Sequence, residues 1–208
     1  MPTPKTDGNC YVCGKTLGKT AMKNHILKEH SNRGDKECYL LKIEGAYAKE
    51  YWLFVDMAKD KSLTALDKFL REIWLECCGH LSKLSVGKSR KIGTLDIGDQ
   101  ILHEYDFGTT TECLITIMAE TRRPKQRAAV RLLARNEPIR IPCSCGEPAE
   151  YICNECMWDD KEHIYCEKCA DTHEHEDMLI AITNSPRCGE CGYDGHLDTY
   201  AFDSGRFN

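Results

Sequence analysis

Apolar residues along the chain change period, and the changes divide it. Residues 38–45 and 50–57 are apolar-rich runs flanking a glycine-containing turn, which predicts a β-hairpin. Leu63, Leu66, Phe69, Leu70, Ile73 and Trp74 then recur at spacings of three and one, so they form a single apolar stripe on a helix. Ser62 stands where that helix needs an N-cap. Strand-like runs follow near 81–86, 91–97, 100–107 and 112–119, punctuated by Gly87-Lys88-Ser89 and Gly98-Asp99. Residues 126–135 close the series as a strand or a short helix. A hairpin, a helix and further strands predict an α+β fold, a mostly antiparallel sheet with a covering helix on one face.

The two ends lack this patterning. Residues 9–30 form a unit bearing cysteines and histidines, set off by a polar break at 31–35, and residues 143–175 hold few large aliphatics and many acids. Three parts are therefore expected: residues 1–36, a core over 37–140, and a module with a tail over 141–208. The 14 cysteines are far above ordinary usage. The first eight residues have no apolar stretch and no run approaches a membrane span, so the expectation is a cytoplasmic protein with no membrane association. In such a reducing setting paired cysteines read as metal sites rather than disulfides.

The spacings agree with that reading. Cys10-x2-Cys13-x11-His25-x4-His30 resembles a C2H2 zinc finger, with Leu17 and Met22 as its apolar filling. It is one residue short between its ligand pairs. His25 and His30 can face one ion only if the helix carrying them loosens near its end. Counted back from the first histidine, the base-contacting positions are Gly18, Ala21 and Asn24. Glycine and alanine offer a base edge nothing, so sequence-specific reading of DNA is not expected.

The second cluster reads Cys143-x-Cys145-x7-Cys153-x2-Cys156-x9-Cys166-x2-Cys169-x3-His173-x-His175, eight ligands in four pairs. It resembles B-box and MYND modules. That resemblance implies an interleaved assignment, in which Cys143, Cys145, Cys166 and Cys169 hold one zinc and Cys153, Cys156, His173 and His175 hold the second. A structural zinc contributes about 10–16 kcal/mol of apparent binding energy, enough to fold so polar a segment. Two half-sites remain, Cys77-Cys78 with His80 and Cys188-x2-Cys191. Joined as Cys78, His80, Cys188 and Cys191, they make a fourth site. Three zinc ions are expected, or four if that site forms. Cys38 and Cys113 fall within strand-like runs and read as core.

Residues 50–56 (EYWLFVD), 69–81 (FLREIWLECCGHL) and 104–108 (EYDFG) resemble the plasmid ORF-3-like family, also labelled insertion-element passenger TnpR-like proteins. Residues 132–136 (LLARN) and 184–193 (NSPRCGECGY) fit its tail, so the likeness spans roughly 39–197. It implies an α+β domain and no defined biochemical role.

The net charge of -5 conceals a segregation: +3 over residues 1–50, -3 over 51–120, +6 over 121–140 and -11 over 141–208. The leading expectation is a non-enzymatic zinc protein that engages a protein partner through its acidic module. The alternative is a nucleic-acid-associated regulator gripping phosphates with Arg122, Arg123, Lys125, Arg127, Arg131 and Arg135. Against it, the acidic tail is expected to fold back on that basic stretch and neutralise it. Enzyme readings are weaker. Gly87-Lys88-Ser89 lacks the upstream glycine of a phosphate loop, and Asp106-Phe107-Gly108 stands without the other parts of a kinase. Asp96, Asp99, His103 and Asp106 are the one set that a catalytic metal would use.

Overall fold

A computed structural model describes residues 6–125, 127–159 and 161–203. The first part of the chain gives β1 (Asp7–Cys10), β2 (Thr16–Gly18) and α1 (Lys19–Glu29). The core follows with β3 (Lys36–Gly45), β4 (Trp52–Ala58), α2 (Thr64–Leu70), β5 (Ser82–Leu84), β6 (Gln100–Tyr105), β7 (Thr111–Arg123) and β8 (Val130–Asn136). These strands form one eight-stranded sheet in the order β2-β1-β8-β4-β3-β7-β6-β5, antiparallel at every pairing. The fold is the expected α+β arrangement.

Alternation decides which helix covers which face. Along β3 and β4, Tyr39, Leu41, Ile43, Leu53, Val55 and Met57 point to one side, where Leu63, Leu66, Phe69, Leu70, Ile73 and Trp74 pack on them. That stripe is the one read from the sequence. Leu40, Trp52 and Phe54 point to the other side and meet Met22 and Ile26 of α1, together with Cys10. Both faces of the central strands are thus covered, which is why all seven residues of β4 are buried. The cysteine–histidine unit is accordingly part of the main fold. β1 pairs with β8 from Gly8–Asn136 to Cys10–Ala134, continuing the sheet. The approach is close enough to require glycine, since a Cβ on Gly8 would lie 2.3 Å from the Arg135 carbonyl oxygen and 2.4 Å from the Trp52 ring.

Several local expectations are corrected. Ser62 does not cap α2; the capping position is Leu63 with no side-chain bond, and Ser62 instead forms a β-bridge with Lys91. The run 91–97 is not a strand. Ile92–Thr94 is a 3-10 turn, closed by the Thr94 and Leu95 amides bonding back to the Lys91 and Ile92 carbonyls, while the Ile92 and Gly93 amides anchor it to the Lys61 and Lys59 carbonyls. Beyond α2 the helix widens into a π turn over Arg71–Leu75. Of the stretch 126–135, expected as a strand or a short helix, the part from Val130 onward is the strand β8 and position 126 lies outside the described residues.

Two buried polar clusters hold these layers in register. Asp56 is 2 % exposed and accepts Arg123 Nη1 at 2.6 Å and Arg131 Nε at 2.9 Å, tying β4 to β7 and β8. Asp67 of α2 lies 2.8 Å from Nε2 of the fully buried His103 on β6, and accepts Ser82 at 2.7 Å and Lys88 at 2.8 Å. Burial alone raises the Asp67 carboxyl, but these hydrogen bonds from His103, Lys88 and Ser82 outweigh it and hold it well below the usual carboxylate range.

Replacing Asp56 with alanine leaves Arg123, itself 2 % exposed, as an unpaired buried cation. The expected loss is about 3–5 kcal/mol in denaturant unfolding, and a loss under about 1 kcal/mol would show that the pair is peripheral. Asp67 has a depressed folded pKa, so its contribution is complete above the unfolded value near about 4 and is lost as pH falls through the folded value. Asp67→Asn should therefore flatten the acid side of the stability profile relative to wild type, with all other titrating groups common to both proteins. Parallel profiles would contradict that role.

Candidate metal centres

All fourteen cysteines are free thiols, and eleven of them gather with five histidines into four tetrads. Within each tetrad the four ligand atoms lie within 4.8 Å of one another. A tetrahedron of ligands has edges about 1.6 times the metal–ligand bond, so zinc calls for about 3.8 Å between two sulfurs, about 3.3 Å between two imidazole nitrogens and about 3.5 Å for a mixed pair. A disulfide requires about 2.05 Å. These lengths are the test of fit.

The first tetrad is Cys10, Cys13, His25 and His30. Cys10 ends β1 and Cys13 lies in the turn before β2, where Gly14, at a φ of 76°, returns its amide to the Cys10 carbonyl. His25 lies on the inner side of α1. The helix ends at Glu29, and His30 leaves helical geometry (φ -129°, ψ -4°) while its amide still bonds the Ile26 carbonyl. That loosening brings the two Nε2 atoms to 3.2 Å, with Cys13 Sγ 3.2 Å from His25 Nε2. Burial lowers the pKa of both imidazoles, keeping their lone pairs free for a metal, and pushes the Cys10 thiol up to about 11.

The C-terminal module is built from β9 (Tyr151–Cys153), α3 (Asn154–Trp158), β10 (Ile164–Tyr165), α4 (Glu167–Ala170) and β11 (Leu179–Ala181). Its strands form a separate sheet in the order β10-β9-β11. Cys143, Cys145, Cys166 and Cys169 form one tetrad, and Cys153, Cys156, His173 and His175 form another. The first and third pairs thus meet, as do the second and fourth. Cys145 and Cys166 sulfurs are 3.6 Å apart. Cys156 Sγ lies 3.5 Å from His173 Nε2 and 3.4 Å from His175 Nδ1, and Cys153 Sγ lies 3.8 Å from His175 Nδ1. In the all-sulfur tetrad, backbone amides of Cys145 and Cys166 lower the Cys143 thiol to about 6, while hydrogen bonding with neighbouring thiols raises Cys169 to about 12. Four thiolates side by side require a cation among them.

The fourth tetrad is Cys77, Cys78, His80 and Cys191. Cys78 and His80 are brought to Cys191, while Cys188 stands outside the group and accepts the Thr183 amide at 3.2 Å. Cys77, the neighbour of Cys78, occupies its place. Cys38 and Cys113 are fully buried core residues. The set Asp96, Asp99, His103 and Asp106 is scattered. Asp99 accepts the Asp96 amide, His103 pairs with Asp67, and Asp106 pairs with Arg187, so these groups are engaged within the fold and do not converge on an ion.

The basic stretch divides in two. Arg123 and Arg131 are held by Asp56, and Arg135, 5 % exposed, pairs with Asp198 of the tail at 2.7 Å. One tail acid, Asp198, neutralises Arg135, but a core acid neutralises the other two. Arg122, Lys125 and Arg127 face solvent. On α1, Ala21 and Asn24 are exposed while Met22 and Ile26 are buried against the sheet.

No family model and no curated protein matches the chain. Among solved structures, a protein of unknown function from Methanosarcina mazei Go1, MM3350, is similar at a TM-score of 0.41 and 14 % identity, over 53 % of this chain and 75 % of that one.

Proposed function

We propose that this chain is a zinc-organised, non-enzymatic interaction protein of the cytoplasm, related to the plasmid ORF-3-like group that its core segments resemble. The observation that carries the reading is the edge lengths of the tetrads, between 3.2 and 3.8 Å in the first finger and the C-terminal module. These edges suit tetrahedral zinc. A centre with four protein ligands leaves no position for water or substrate, which is the mark of a structural site. The C-terminal module supports engagement of a protein partner. Trp158 is 71 % exposed and Met178 40 % exposed there, beside solvent-facing Glu155, Asp159, Glu174, Glu176 and Asp177. An apolar anchor on an acidic surface suits a basic partner. A second reading, contact with nucleic-acid phosphates, is favoured only by the exposure of Arg122, Lys125 and Arg127.

Zinc removal should act differently on the two ends. With a strong chelator, hydrogen exchange over 143–181 should rise to that of an unfolded chain, because Ile152 and Ala170 are among the few apolar residues buried in the module. The sheet around Leu41, Val55 and Ile115 should stay protected. Loosening of α1 should wet Trp52 and red-shift its fluorescence, since that ring lies under the finger. Unchanged protection over 143–181 in metal-free protein would sink the reading.

Partner class is decided by a paired titration at physiological salt with a Lys/Arg-rich peptide and with random duplex DNA. Peptide binding weakened about tenfold or more by Trp158→Ala is expected, about 1.4 kcal/mol or above. Sub-micromolar duplex binding that survives Trp158→Ala and is lost when Arg122, Lys125 and Arg127 become alanine would instead establish the phosphate reading.

A further inference from the structure

Cys77, Cys78 and His80 follow the π turn that ends the covering helix, whereas Cys191 comes from the far end of the chain. We infer that these four residues form a fourth metal centre, a Cys3His site that clasps the C-terminal tail onto the core. The inference rests on the zinc reading above and extends it to a ligand set that the Cys188-x2-Cys191 spacing does not indicate. The distances fit: Cys77 to Cys78 and Cys78 to Cys191 are each 3.8 Å between sulfurs, and His80 Nε2 lies 3.0 Å from Cys78 and 3.3 Å from Cys191. A soft, thiolate-rich set of four suits zinc or a similar tetrahedral divalent ion.

Both halves of the site are held in place by their surroundings. Glu76 accepts the Gly79 amide at 2.6 Å and the Tyr105 hydroxyl at 3.0 Å, and Arg71 grips its other oxygen, so the loop from Cys77 to His80 is fixed at its base. Gly79 turns it with a φ of 87°. On the tail, Cys191 itself takes a φ of 50°, a left-handed conformation that costs a non-glycine residue and swings its sulfur toward Cys78. Cys188 is spent elsewhere on the Thr183 amide.

Arg187 supplies the outer support. It is fully buried, with Nη2 2.7 Å from Asp106 Oδ2 and 3.5 Å from Cys77 Sγ, and Nη1 bonded to the Thr109 carbonyl and the Thr111 hydroxyl. Three thiolates around a dication leave a net charge of about -1, and a guanidinium donating to one sulfur offsets it. A buried arginine whose ion-pair partner is already present has no packing reason to reach a thiol. A metal-bound thiolate gives it one.

The clasp places the rest of the tail. Beyond Cys191, Tyr193 is 2 % exposed, Asp198 pairs with Arg135, the Tyr200 ring meets Phe69 at 5.3 Å, and the Tyr200 carbonyl accepts the Tyr11 hydroxyl. The tail thereby forms the outer wall of a cavity of about 520 Å³ against β1 and β8. Metal at this centre therefore holds finger, helix and tail together.

The test is metal stoichiometry by elemental analysis and native mass spectrometry on the full chain. Wild type should carry four ions, Cys78→Ser and Cys191→Ser three each, and Cys188→Ser four. Cys78 and Cys191 are exposed, so their replacement by serine spares the core. Hydrogen exchange over 193–202 should rise in Cys191→Ser and not in Cys188→Ser. Three ions in wild type, unchanged in Cys78→Ser and Cys191→Ser, would overturn this centre and leave the zinc reading intact. One ion or none would overturn both, and loss of an ion in Cys188→Ser alone would return the site to the Cys188 pair.

Discussion

Cysteine sulfurs lying within 4.8 Å of one another can ionise together only with a cation among them, and that constraint applies at both ends of the chain, where such ligands converge. In the all-sulfur tetrad the sulfurs compete for charge: backbone amides of Cys145 and Cys166 favour the Cys143 thiolate, while neighbouring thiols push Cys169 up. A dication removes the conflict and turns four competing groups into four ligands. Bound metal would add support to the C-terminal module, which has short strands, two helices of about one turn and acids on its surface.

The same requirement shapes the core. The central strands are apolar on both faces, yet α2 covers one face only. The second cover is α1, whose Met22 and Ile26 are held over Leu40, Trp52 and Phe54 by the turn that carries Cys10 and Cys13. A helix of eleven residues with so few apolar positions is marginal alone. Metal at His25 and His30 would fix it, making the finger a lid on the sheet. Its inward commitment also leaves an outer face on which, of Ala21 and Asn24, only Asn24 has a group able to read a base.

Much of this was legible in the sequence, for identifiable reasons. The stripe from Leu63 to Trp74 and the hairpin of β3 and β4 show strong periods, and both formed. The ligand pairs at either end were legible because their spacing is set by short-range geometry, while the interleaved grouping of the C-terminal pairs was what the resemblance to B-box and MYND modules implied. What escaped were features fixed by distant contacts. The run 91–97 has a strand's composition, yet the Ile92 and Gly93 amides are taken by Lys61 and Lys59, and those of Thr94 and Leu95 turn back on the run itself. The finger resembled an independent unit because nothing local reveals that β1 pairs with β8, more than a hundred residues away. Cys77 was passed over for Cys188 because the Cys-x2-Cys spacing is a local signal, and the meeting of Cys77, Cys78 and His80 with Cys191 is not. The basic stretch followed expectation in part, since Asp198 of the tail pairs with Arg135, whereas Arg123 and Arg131 are held by Asp56 of the core, a long-range contact no local pattern reveals.

Zinc K-edge X-ray absorption of the purified protein reads the coordination directly. Four tetrads supply eleven sulfurs and five nitrogens, so the average first shell should be four-coordinate and sulfur-rich, with Zn–S at about 2.3 Å and a minor Zn–N shell at about 2.0 Å. A five- or six-coordinate shell dominated by oxygen would contradict metal as the organiser of this fold.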